Sequence, residues 1–209
     1  MFLFSYIGKT LIIFSVLALI IILIIYLFYN SYMIRKHGNY VKIDTPKNIK
    51  TRSLIESDLI YIHRRIIDMT DREFEYFVAR LLALSDNNRY IVTPKSNDGG
   101  RDCILWKDGK EIYIECKHFK SDKGIPGRPI IQKLCGAMIE NNVSNGILVT
   151  LHGSNQNGIT TCNSINNSKI ANINIEILDI DDLLKICLNI DAYRVYALAG
   201  IPKLYKNIS

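Results

Sequence analysis

The sequence predicts an α/β fold, a mixed β-sheet flanked by helices, preceded by one transmembrane helix. Three observations carry this. Residues 11–29 are an uncharged apolar run; beyond residue 53, stretches of helical period alternate with short β-branched runs; and an Asp-Gly between two apolar runs marks a hairpin. The 209 residues are 22% charged and 48% hydrophobic, too charged for a polytopic membrane protein and too apolar for a disordered chain. Five cysteines, an odd count with no Cys-x-x-Cys, exclude a disulfide scaffold, a zinc ribbon and a thioredoxin-type motif.

At a rise of about 1.5 Å, roughly 19 residues (LIIFSVLALIIILIIYLFY) reach about 28 Å, close to the hydrocarbon thickness of a bilayer. A cleaved signal peptide carries its positive charge before the apolar run and small residues after it. Here Lys9 alone precedes the run and no Ala-x-Ala site follows. Tyr26, Tyr29 and Tyr32 suit the headgroup level. Residues 31–52 hold six basic groups against Asp44, whereas residues 53–209 hold 19 basic and 19 acidic groups. The net charge of +6 therefore belongs to the flank of the apolar run and is no sign of a DNA-binding domain. The positive-inside bias predicts a single-pass protein of the cell membrane, amino terminus outside and carboxy-terminal part in the cytoplasm, where the cysteines stay reduced. The expected organisation is a membrane anchor over 1–30, a basic juxtamembrane linker over 31–52 near anionic headgroups, a soluble domain over 53–190 and an unassigned tail over 191–209.

Within the soluble part, Ser53-Leu54-Ile55-Glu56 has the capping-box pattern, and Ile55, Leu59, Ile62 and Ile66 follow at helical spacing. Thr70-Asp71-Arg72-Glu73 is a second capping box, opening a helix over 71–84 with Phe74, Phe77, Val78, Leu81 and Leu82 on one stripe. Residues 90–93 read as a short strand and 96–100 as a turn cluster. Residues 103–106 and 111–116 flank the Asp108-Gly109 turn. Pro129 suits the first turn of a helix running to about residue 141. Strands over 146–150 and 173–178, a polar helical stretch over 154–168 and a helix over 181–188 complete the pattern. Gly136-Ala137 is expected to let its helix approach the sheet closely.

A two-residue loop at Asp108-Gly109 pairs Lys107 with Lys110, Leu105 with Ile112, Cys103 with Ile114 and Asp102 with Glu115. Directly opposed side chains lie about 4.5–5.5 Å apart at Cβ, and Lys117, two residues on, shares the face of Glu115. Cys103, Leu105, Ile112 and Ile114 take the other face, as a core requires, and Cys116 points the same way as a buried thiol. Two carboxylates this close repel unless protons or a cation intervene. A hard cation such as Mg²⁺ takes one or two carboxylates and keeps waters that substrate phosphate replaces, and a lysine beside it offsets developing charge. This is equipment for phosphodiester hydrolysis; the spacing alone is more often that of a salt bridge on a solvated strand face.

Around the hairpin stand Ser96-Asn97-Asp98-Gly99-Gly100-Arg101-Asp102, Tyr113-Ile114-Glu115-Cys116-Lys117-His118, Ile131-Gln132-Lys133-Leu134-Cys135-Gly136-Ala137-Met138 and Gly146-Ile147-Leu148-Val149-Thr150, after the helix with Glu73-Phe74-Glu75-Tyr76-Phe77. This series resembles the Mrr-like restriction endonuclease domain, a branch of the PD-(D/E)xK nuclease superfamily, over about residues 68–188. The resemblance implies a restriction-endonuclease-like core and Mg²⁺-dependent (or Mn²⁺-dependent) hydrolysis of DNA leaving 5′-phosphate and 3′-hydroxyl ends. It implies Asp102 and Glu115 as metal ligands, Lys117 as the catalytic lysine, Glu75 as an added acidic residue from the first helix and Gln132 as a site glutamine on the later helix. Arg101 stands where the superfamily's proline would, and Glu115 stands where many members of this branch carry Gln.

Lys120, Lys123, Arg128 and Lys133 surround this hairpin and are the candidate DNA contacts. No Gly-x-x-x-x-Gly-Lys-Ser/Thr occurs and no nucleotide cofactor is expected; no helix-turn-helix, zinc finger or Gly-x-Ser-x-Gly elbow is present. The leading expectation is a membrane-anchored endonuclease acting on foreign or modified DNA, with a homodimer expected for double-strand cutting. A tethered DNA-binding module on a nuclease fold, and a juxtamembrane electrostatic sensor working through 31–52, are the alternatives.

Overall fold

The computed structural model describes residues 16–17, 19–25, 39–43, 52–94, 99–121, 124–168 and 172–201. The chain divides into two units, Met1–Gly38 and Asn39–Ser209. In the first, residues 16–17 and 19–25 are helical, with apolar side chains such as Leu19 and Ile22 exposed. No helix among the described residues is long and apolar enough to cross a membrane; the rest of the expected span over 11–29 lies outside them.

The second unit is built on one sheet whose strands follow chain order. They are β1 (Asn39–Tyr40), β2 (Arg89–Val92), β3 (Cys103–Lys107), β4 (Lys110–Lys117), β5 (Asn145–Thr150) and β6 (Asn174–Leu178). β1 to β4 pair antiparallel, whereas β4, β5 and β6 run parallel, so the sheet is mixed. The helices are α1 (Glu56–Asp68), α2 (Asp71–Ser85), α3 (Arg128–Glu140), α4 (Gln156–Asn166), α5 (Ile180–Leu188) and α6 (Ala192–Ala199).

Alternation along the strands feeds two cores. Cys103, Leu105, Ile114 and Cys116 join α1, α2, α5 and α6 on one face, through Ile62, Phe74, Leu183 and Val195. Ile104, Trp106, Tyr113 and Leu148 join α3 and α4 on the other, through Ile131, Leu134, Met138 and Cys162. The hairpin register is the one its turn predicts: Lys107 opposes Lys110, Leu105 opposes Ile112 and Cys103 opposes Ile114. With helices on both faces, β3 is buried residue after residue from Cys103 to Trp106, and the side expected to be polar becomes polar only at the strand ends.

The second capping box forms as read: the Thr70 hydroxyl accepts from the Glu73 N–H (3.3 Å), and the Glu73 carboxylate accepts from the Thr70 N–H (2.8 Å). The first does not form at Ser53. α1 is capped at Ile55, whose N–H donates to the Asp58 carboxylate (2.8 Å). Asp58 is drawn there because it also takes Arg52 and, from α6, the Tyr196 hydroxyl. The Ala192 N–H donates to the Arg52 carbonyl (2.8 Å), so α6 is tied to the chain entering α1. Two segments thus differ from expectation. Residues 39–43 of the expected linker add an edge strand and pack Val41 and Ile43 against the core. Residues 192–199 of the expected tail form a helix burying Val195, Tyr196 and Leu198. The close approach expected of Gly136 also moves: a Cβ there meets nothing within 4 Å, whereas one on Gly146 of β5 would lie 2.5 Å from Met138 Sδ. The glycine that lets α3 close on the sheet is on the strand.

Burial pushes the Asp58 carboxyl up, but hydrogen bonds from Arg52, Tyr196 and the Ile55 N–H outweigh it and hold the group down to about 2. A lowered folded pKa stabilises above the unfolded value and is lost as pH falls through the folded one, here from about pH 4 to about pH 2. Denaturant titrations of wild type and Asp58→Asn should therefore converge across that window. The wild-type advantage at neutral pH is expected to be about 2 kcal/mol.

Candidate active site

Asp102 stands one residue before β3, after a bend at Gly99 and Gly100, whose φ values of +59° and +84° suit glycine. Its N–H donates to the Ile114 carbonyl (2.8 Å), and its own carbonyl accepts from the Thr93 N–H (2.8 Å) and hydroxyl (2.9 Å). The paired ladder ends at Cys103 opposite Ile114, so Asp102 does not oppose Glu115 as a regular cross-strand pair. Its carboxylate instead accepts from the Cys116 N–H (2.7 Å), standing in for a backbone acceptor. This holds the carboxylate against β4 more firmly than a facing position would.

Glu115 lies on the strand face that carries Tyr113, where a core residue would sit, and its side chain is 0% exposed. Its Oε1 receives Lys117 Nζ at 2.6 Å and Lys133 Nζ at 3.4 Å. Its Oε2 is buried and has no hydrogen-bond partner among the described residues. Burial pushes the Glu115 carboxyl up, the Asp102 charge pushes it further, and the two lysines oppose both. For Lys117, burial favours the neutral amine, but the hydrogen bond and charge of Glu115 and the charge of Asp102 outweigh it and raise its pKa. Lys117 Nζ also donates to the Cys116 carbonyl (3.1 Å) and stands 3.9 Å from Asp102 Oδ2. Thr150 of β5 is Lys117's partner in the parallel ladder. The cluster thus sits at the carboxyl ends of two parallel strands, where open α/β sheets present their crevices.

Lys133 arrives from α3 because the helix packs on the bend before Asp102. A Cβ on Gly100 would lie 3.0 Å from Ala137 Cβ and 3.6 Å from the Lys133 carbonyl oxygen. Lys133 is one turn before Ala137, a spacing that was available in the sequence once Gly100 was seen as the contact. Gln132, expected at the site, is exposed, and no hydrogen bond joins it to the carboxylates among the described contacts; its neighbour takes that place. Glu75 is on α2, which packs on the opposite face of the sheet. It pairs with Arg72 (2.5 Å), which also donates to the Thr93 carbonyl (2.8 Å) beside Asp102. The charges of Asp102 and Glu75 both act on the Cys116 thiol, which its Cys103 hydrogen bond and then burial push up, leaving it a buried thiol as expected. Arg101, unassigned by the sequence, lies 4.3 Å over the Tyr113 ring and anchors the bend. Of the expected DNA contacts, Lys120 is exposed and Arg128 opens α3, while Lys123 lies outside the described residues.

Among the described residues no group of three or more His, Cys, Asp and Glu is placed to hold a metal ion. The donor set that the sequence resemblance implies is the pair Asp102 and Glu115. An orphaned, buried carboxylate oxygen beside a second carboxylate fits a hard cation that takes two carboxylates and keeps its waters.

Asp102 and Glu115-Cys116-Lys117 thus converge at the end of the central hairpin of a mixed sheet covered on both faces. Residues 66–187, more than half of the chain, match the Mrr_cat family model, described as restriction endonuclease, and the chain belongs to that family. No curated protein matches it.

Replacing Gly100 by Ala should strain a backbone at φ +84° and press α3 off the bend. A loss of about 1–3 kcal/mol in denaturant unfolding is expected, with Gly99→Ala, whose Cβ meets only the flexible Arg101 side chain, costing less.

Proposed function

We propose that this chain is a membrane-anchored, divalent-metal-dependent DNA endonuclease that hydrolyses phosphodiester bonds and acts on foreign or modified DNA. The observation that carries the reading is the wholly buried Glu115, with one oxygen taken by lysines and the other orphaned, beside Asp102. A protein keeps such a group at a strand end where chemistry needs it, because burying a carboxylate costs several kcal/mol.

Asp102 and Glu115 would hold Mg²⁺ (or Mn²⁺). When bound, that ion supplies an acidified water and stabilises negative charge on a phosphoryl group. The Cys116 N–H keeps the Asp102 carboxylate in place, and β4 keeps Glu115 facing it from a water-poor position. Lys117, as an ammonium held by Glu115 and the Cys116 carbonyl, orients the attacking water and offsets charge on the scissile phosphate. Arg128 at the start of α3, with the exposed Lys120, supplies contacts to flanking phosphates. Cutting both strands of a duplex calls for two such sites, and therefore for a homodimer.

The apolar run over 11–29 and the six basic residues after it support a single-pass anchor with the nuclease domain in the cytoplasm, where it meets DNA at entry. The full chain should resist extraction from membranes by alkaline carbonate. A version beginning at residue 39 should not sediment with them.

Supercoiled plasmid and methylated phage DNA, incubated with the full chain in detergent and Mg²⁺, should be nicked or linearised. Asp102→Ala and Lys117→Ala should each lower the rate by about 10²-fold or more, and EDTA should abolish it. Cleavage that survives both substitutions would sink the assignment. DNA binding with no cleavage of either substrate would favour the tethered binding module.

A further inference from the structure

Two neighbours at the end of β4 turn to opposite faces of the sheet. Lys117 meets Glu115, whereas His118 enters the layer of α1 and α2. The His118 side chain is 1% exposed. Its ring lies 4.8 Å from that of Phe74, and its Nε2 stands 2.8 Å from the carbonyl oxygen of Ile66, in the last turn of α1. A carbonyl only accepts, so Nε2 carries the proton and donates. Nδ1 is buried with no hydrogen-bond partner among the described residues; the carboxylate of Asp71, 83% exposed, is 3.8 Å away. The polar hold on the ring therefore falls on Nε2.

The place of this hold is where the ladder thins. β3 pairs with β4 only as far as Cys103 opposite Ile114. Beyond it, Glu115, Cys116 and Lys117 pair with Leu148, Val149 and Thr150 of β5 on one flank. On the other flank the Cys116 N–H donates to the Asp102 carboxylate in place of a strand partner. The residues that carry the buried carboxylate and the lysine thus lack a second strand.

We propose that His118 is a positioning residue for Lys117 and Glu115. Its Nε2–H bond pins the end of β4 to α1, and the pinned backbone sets where the Lys117 ammonium meets Glu115. The inference rests on the nuclease reading and deepens it, because it names a residue outside the reacting cluster that holds the cluster's geometry. Adjacent residues share a peptide unit, so a fixed His118 fixes the point from which the Lys117 side chain departs. Lys117 Nζ sits 2.6 Å from Glu115 Oε1 and 3.1 Å from the Cys116 carbonyl oxygen, distances that a shifted strand end does not keep. Misplacing reacting groups by about 1 Å costs on the order of 10²-fold in rate. The Ile66 carbonyl also accepts from the Met69 N–H (3.2 Å), so removing the His118 donor does not leave it orphaned.

The test uses the full chain in detergent, with His118→Leu, which keeps an apolar filling and loses the donor, and His118→Gln, whose amide N–H reaches the place of Nε2. Asp58→Asn, outside the cluster, is the control for lost stability alone. Hydrogen exchange over residues 115–117, read by mass spectrometry, should be about tenfold faster in His118→Leu and near wild type in the other two. In plasmid cleavage with Mg²⁺, His118→Leu should lose about tenfold or more in kcat with KM within about twofold. His118→Gln should return to within about threefold of wild type, and Asp58→Asn should keep its kcat. Unchanged exchange over 115–117 in His118→Leu overturns the proposal, as does faster exchange with an unchanged kcat. A loss that Asp58→Asn shares, or that His118→Gln does not recover, overturns it too. A wild-type chain that cuts no DNA overturns the nuclease reading and this proposal with it, whatever the exchange shows, so the two failures are distinguishable.

Discussion

A carboxylate near the carboxyl end of a β-strand, fully removed from water, is the constraint on which this structure turns. Glu115 occupies the position that Tyr113 and the neighbouring apolar residues would otherwise continue as core. Everything near it answers the cost of that burial. Lys117 follows at the next same-face position of β4, α3 brings Lys133 across the Gly100 bend, and Asp102 is pinned to the Cys116 N–H. Oε2 alone is left without a hydrogen-bond partner among the described residues. On the proposed nuclease reading a divalent cation would take that oxygen, so the same cluster is both a cost to the fold and its working part.

The remainder of the domain supplies the rigidity that such a cluster requires. Apolar layers on both faces of the sheet grip β3 and β4, so neither strand yields to relieve the buried charge. At the far edge of the helical layer a second buried carboxylate, Asp58, is handled differently. It is saturated by Arg52, Tyr196 and a backbone N–H, and its acidity rises as a result. The contrast separates a structural carboxylate, with its hydrogen bonds filled, from one left open to a ligand.

Much of this was legible in the sequence where local rules act. The Asp108-Gly109 turn set the hairpin register, and the register placed Glu115 and Lys117 on one face with Cys116 on the other. Thr70 and Glu73 announced the start of α2. The failures lie where distant segments decide. Asp102 leaves the ladder because Thr93 and Cys116 both claim it, and neither is near it in sequence. Ser53 loses its cap because Asp58 answers to Tyr196, 138 residues away. Lys133, rather than Gln132, meets Glu115 because α3 rotates to seat Ala137 on Gly100, a contact between residues 37 apart that no helical period reveals. Residues 192–199, expected in an unassigned tail, do carry local signals, since Asp191 caps the helix at the Arg194 N–H and a left-handed Gly200 ends it; the packing on α1 and α2 that buries it is what no local signal reveals.

The most direct measurement of the central claim is the thermal unfolding of the full chain in detergent, with and without Mn²⁺, for wild type and Glu115→Gln. Binding to the folded state alone raises the transition temperature in proportion to affinity and concentration. If Glu115 is a carboxylate awaiting a cation, Mn²⁺ raises the wild-type midpoint and leaves that of Glu115→Gln where it was. An equal rise in both proteins, or none in either, would contradict the account.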